Sequence, residues 1–104
     1  MQFTGEEDHK ISLQEAARLT RSYRESMPAG SLLAGYFGKV AISSILAQSG
    51  CLGLRIYNGK KATGELTFVL VGVDANGGDM TGGELAEYSV GCPPICSPAN
   101  ELTG

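Results

Sequence analysis

Residues 66–73, Leu66-Thr67-Phe68-Val69-Leu70-Val71-Gly72-Val73, place apolar side chains on both faces of an extended chain. Successive residues of a strand point to opposite faces, so the run Phe68 to Val71 needs cover on both sides. This predicts the central strand of a sheet, and the rest of the chain must supply its neighbours and its cover.

The flanking segments carry the neighbours. From Leu52 to Tyr57 the apolar residues alternate, with Leu52, Leu54 and Ile56 on one face. Asn58-Gly59 is a strong turn signal, and a loop through Gly64 completes a hairpin into the central strand. After a loop over 74–83, Leu85 to Val90 reads as a third strand, with Ala86, Tyr88 and Val90 on one face.

The N-terminal half has helical period. Ser12 followed by Glu15 is a capping-box pattern, opening a helix from Leu13 to about Ser26. Leu13, Ala16, Ala17, Thr20, Tyr23 and Met27 share one face, and Glu15/Arg18 and Arg21/Glu25 pair on the other. Pro28 and Gly30 end it. A second, more apolar helix is predicted from Phe37 to Gln48, with Gly50 as its C-terminal cap.

Helices followed by strands define an α+β domain. The expected architecture is two N-terminal helices packed on a three-stranded antiparallel meander, with an irregular Pro-rich C-terminal tail. Residues 1–10 form a flexible lead-in, 11–97 the single domain and 98–104 the end of the tail. At 104 residues, one domain is the natural count.

Charge is unevenly spread. The total is −3, but residues 26–64 carry Lys39, Arg55, Lys60 and Lys61 with no acid. Residues 65–104 carry Glu65, Asp74, Asp79, Glu84, Glu87 and Glu101 with no base. Lys39, Arg55, Lys60 and Lys61 against Asp74, Asp79, Glu84 and Glu87 are therefore candidate interaction residues for head-to-tail contact between copies. The alternative is that the two groups mix in space once the strands pair. The acidic total speaks against a general nucleic-acid partner. No apolar run is long enough to span a membrane. The first ten residues lack the apolar core of a signal peptide, so a cytoplasmic location is expected.

Three cysteines and one histidine offer limited chemistry. Cys92-Pro93-Pro94-Ile95-Cys96 is C-x3-C, not the redox C-x-x-C. In polyproline II the two cysteines stand roughly 12 Å apart, and a disulfide forms only if the prolines turn, for example through a cis bond. Cys92, Cys96, Cys51 and His9 together have the composition of a structural zinc set, and zinc or iron is the metal alternative. Otherwise the cysteines pack as small apolar side chains, or one bridges to another chain. Asp74-Ala75-Asn76-Gly77-Gly78-Asp79 resembles the start of a calcium loop, but the EF-hand positions for Gly and Glu hold Asp79 and Leu85, which leaves Asp74, Asn76, Asp79 and Glu84 as candidate oxygen ligands. A looser oxygen-ligand site there competes with a plain hairpin loop.

Gly35-Tyr36-Phe37-Gly38-Lys39 has G-x-x-G spacing without basic residues between the glycines, and it fails the phosphate-loop pattern. No Ser or Cys carries a nucleophile signature, and one His leaves few bases. No catalytic residue is expected and no cofactor is called for. The segments Gly35-Tyr36-Phe37-Gly38, Gly72-Val73-Asp74-Ala75-Asn76-Gly77 and Cys92-Pro93-Pro94-Ile95-Cys96 together resemble a group of small bacterial proteins. The resemblance spans most of residues 11–97, implies a bacterial source and one compact domain, and carries no site to transfer. The function expected is a non-enzymatic interaction or self-assembly module forming homo-oligomers; the alternative is a small metal- or thiol-binding protein using the CPPIC segment.

Overall fold

Residues 2–104 are described by a computed structural model. In chain order the elements are α1 (Leu13–Ser26), β1 (Ala34–Tyr36), α2 (Lys39–Leu46), β2 (Gly53–Lys60), β3 (Leu66–Val73), β4 (Leu85–Ala86) and β5 (Val90–Cys92). They divide into two units. One is built from Tyr36–Ser89 with the N-terminal residues through Glu7; the other joins Asp8–Gly35 to Val90–Gly104.

The first unit holds the meander. Its sheet has the order β2-β3-β4, antiparallel throughout, with the doubly apolar strand at the centre as expected. β2 pairs with β3 from Gly53↔Val73 to Lys60↔Leu66, and β4 adds Leu70↔Ala86 and Val71↔Leu85. Leu70, Val71 and Val73 of β3 are buried, as is Ile45 of α2. Each such side chain contributes roughly 1.5–3 kcal/mol on burial. α2 packs on β2 and β3. Gly72 makes that approach possible: a Cβ there would stand 2.9 Å from Cys51 Sγ and 3.0 Å from Gln48 Nε2. Gln48, just beyond α2, ties that end of the helix to the residue before β4, its amide oxygen accepting from Glu84 N–H at 2.7 Å.

The hairpin between β2 and β3 turns later than the Asn-Gly signal indicates. Asn58 and Gly59 stay in the ladder opposite Phe68 and Thr67. The turn closes instead where Lys61 N–H meets Glu65 O at 2.8 Å, with Gly64 at φ 91°. Either glycine can supply a positive φ; continuing the ladder through Asn58 and Gly59 adds pairing that an earlier turn forgoes. At the other end of β3, Asp74 Oδ1 accepts from Asn76 N–H (3.0 Å) and Gly78 N–H (2.9 Å), and Gly77 has φ 83°. Phe3 N–H reaches Ala75 O at 2.8 Å, so the N-terminal segment contributes to this turn.

The second unit contains α1, β5 and β1 up to Gly35, and β1 and β5 pair as a two-stranded sheet. Ser12 caps α1 by accepting from Glu15 N–H at 3.0 Å, and Glu15 pairs with Arg18 rather than returning to the cap. No α1 residue is buried. Arg24 donates to Leu102 O at 2.6 Å. β5 leads into the proline-rich segment, and Leu33 N–H donates to Cys92 O at 2.7 Å. Among the described residues, no helix is long and apolar enough to cross a membrane.

Candidate interaction site

The pairing pattern fixes which backbone groups of β2 are used. Residues of an antiparallel pair alternate between exchanging both hydrogen bonds and exchanging none. The Lys61–Glu65 bond puts Lys61, Gly59, Tyr57, Arg55 and Gly53 in the bonded class toward β3. The N–H and C=O groups of Leu54, Ile56, Asn58 and Lys60 therefore point away from the sheet. Among the described residues no strand lies on that side and no hydrogen bond reaches these groups. β2 is an open edge eight residues long. Its middle is exposed: Ile56 at 60% and Tyr57 at 47%.

One face of this edge is clasped. Arg55 and Tyr57 share the face away from α2, opposite Val71 and Val69. Arg55 Nη1 donates to Asp79 Oδ1 at 2.5 Å and to Gly77 O at 3.0 Å. The Tyr57 hydroxyl donates to the other carboxylate oxygen of Asp79. The Asp79 carboxyl is held below its ordinary range by the Tyr57 hydroxyl and then by Arg55. Tyr57 is pushed up by its bond to Asp79.

The expected interaction residues end up partly mixed. Arg55 pairs with Asp79, and Lys61 pairs with Glu65 at 3.3 Å, so the basic centre neutralises part of the acidic end. Lys39 opens α2 and Lys60 closes β2, both exposed. Asp74 serves the turn. Glu84 precedes β4 with its own N–H on Gln48. Glu87, just beyond β4, accepts from Tyr88 N–H and then from the Thr67 hydroxyl, which together lower its pKa.

The oxygen-rich loop does not assemble as an ion site. Asp74 spends Oδ1 on two backbone amides, and Asp79 is taken by Arg55 and Tyr57. The cysteine set is also divided. Cys92 and Cys96 form a disulfide with Cα atoms 4.8 Å apart, and both Cys92-Pro93 and Pro93-Pro94 are cis. Cys51 is a free thiol of the first unit, donating to Gly53 O at 3.3 Å, while His9 belongs to the second. Among the described residues, no group of three or more His, Cys, Asp or Glu side chains is placed to hold a metal ion. A shallow groove along α1 is lined by Ser12, Leu13, Arg18, Arg21 and Glu101 among others.

Gln48 and Tyr57 enter the site without a signal in the sequence. A lone glutamine before a cap glycine and a tyrosine on an alternating strand carry no local signal; only the register reveals their partners. Comparison with protein-family models, with curated proteins and with solved structures returns no match.

Proposed function

We propose that this chain is a non-enzymatic interaction module that acts by self-association. The observation that supports this reading is the eight-residue β2 edge, with Ile56 and Tyr57 exposed at its centre. A long, unpaired, partly apolar edge is a ready template for another strand, and proteins that stay monomeric usually blunt it. The burial pattern adds to this, since Val40 on α2 is 74% exposed and Tyr36 65%. The Arg55–Asp79 and Lys61–Glu65 pairs weaken the head-to-tail charge argument. Association is assigned to the strand edge instead. Size-exclusion chromatography with light scattering at several salt concentrations tests it. A homo-oligomer with weak salt dependence is expected, and a strict monomer at high concentration overturns the reading.

The second reading, a thiol-based site at Cys92 and Cys96, is favoured by the disulfide itself and by the exposure of Cys96. In its metal form the reduced pair would take zinc or iron. Native mass spectrometry of the reduced chain with added zinc tests this, and a metal-free spectrum overturns it.

A further inference from the structure

We propose that the free edge of β2 pairs with β2 of a second copy, antiparallel about a two-fold axis at Tyr57. The two three-stranded sheets then become one continuous sheet of six strands. This rests on the self-association reading and names its partner, surface and register.

Self-pairing of one strand about a two-fold axis is an isologous contact, so one surface serves both copies. Outward-pointing groups must meet outward-pointing groups. Each allowed register therefore pairs the even-numbered residues of β2 with one another, and successive registers move the axis by one residue. With the axis at Tyr57, Leu54 meets Lys60 of the second copy and Ile56 meets Asn58. All four free residues are then bonded in both copies. An axis at Ile56 leaves Lys60 without a partner inside the strand.

Side-chain charge selects the same register. An axis at Arg55 sets the two arginines directly opposite, and an axis at Asn58 sets Arg55 against Lys61. Like charges directly opposite are destabilising. With the axis at Tyr57, Arg55 faces Gly59 and Lys61 faces Gly53, so each of these cations meets a residue without a side chain. Arg55 also brings its own counter-charge in Asp79. Tyr57 then stands against Tyr57 of the second copy at a non-bonded position, where Cβ atoms are about 4.5–5.5 Å apart. On the opposite face the exposed Ile56 side chains become diagonal neighbours. The Lys60 stem lies along Leu54 with its ammonium in water.

Two variants of the full chain test the proposal. Ile56→Pro removes an outward N–H and no bond to β3, so the sheet survives while the edge is blocked. Its far-UV circular dichroism should match the parent, and its dimer dissociation constant should rise at least tenfold. Tyr57→Cys, in a Cys51→Ser background, should form a disulfide-linked dimer on mild oxidation, whereas Leu66→Cys in the same background should not. A parent chain that dimerises while Ile56→Pro dimerises equally well, or while Tyr57→Cys fails to cross-link, overturns the β2 pairing and leaves self-association standing. If Ile56→Pro does not fold, the cross-link decides. A monomeric parent chain overturns both.

Discussion

The hydroxyl of Tyr57 on β2 donates to the carboxylate of Asp79, which lies beyond the turn that follows β3. Arg55, two residues before Tyr57 on the same face, donates to the other oxygen of that carboxylate. A residue of the strand edge is thus held by a residue of the opposite hairpin, across the buried side chains of β3. The clasp orients the side chain placed on the proposed two-fold axis, and it leaves the outward backbone groups of β2 untouched.

The clasp sets a pH window for the first unit. Asp79 has a lowered pKa, owed first to Tyr57 and then to Arg55. Its contribution is complete above the ordinary aspartate value of about 3.9 and is lost as pH falls through the lower folded value. Tyr57 has a raised pKa, so its contribution is complete below about 10 and is lost as pH rises through the folded value. Asp79→Asn should lower the urea midpoint by a constant amount between pH 5 and pH 9 (roughly one unit inside each limit). The difference from the parent should narrow at more acidic pH. A difference that grows on acidification contradicts the assignment.

Ile45 is buried to 1% exposure. Ile45→Ala should cost about 2–5 kcal/mol by urea denaturation, because it removes contacts between α2 and the sheet and leaves a cavity. Val40→Ala on the same helix, at a position 74% exposed, should stay within about 0.5 kcal/mol of the parent. Equal effects at the two positions contradict the placement of α2 on the sheet.

The Cys92–Cys96 bond closes a short ring, and loop-closure entropy assigns it about 2 kcal/mol. Removing it through Cys92→Ser with Cys96→Ser should lower the thermal midpoint. Thiol titration in non-reducing denaturant should find only Cys51, and all three cysteines after reduction. Three thiols without reductant contradict the bond.

Much of the fold is written in local pattern. β3 (Leu66–Val73) and α1 (Leu13–Ser26) have the bounds their periodicity indicates, because each carries a long, unambiguous repeat. α2 is shorter than the apolar run around it, since Gly38 supplies no side-chain cap and Ala47 leaves the helix. β1 and β5 are three residues each, too short for any period to register, and their pairing is non-local. The third predicted strand divides, with β4 ending at Ala86 and β5 starting at Val90; Tyr88, at φ 58°, breaks the extended run. The Cys92–Cys96 bond depends on how two prolines turn, which spacing alone does not decide. The candidate site was half legible. Arg55 and Asp79 stand out in the sequence as charges, but their union depends on the register of β2 against β3 and on where the hairpin turns.

Amide hydrogen exchange, followed residue by residue at rising protein concentration, tests the central claim most directly. The amides of Leu54, Ile56, Asn58 and Lys60 point outward from β2. In a monomer they exchange as open amides, while those of Arg55 and Tyr57 are protected by β3. The account predicts that protection of the four outward amides rises with concentration, together and with one midpoint. Fast exchange of these four at every concentration, beside protected Arg55 and Tyr57, contradicts it.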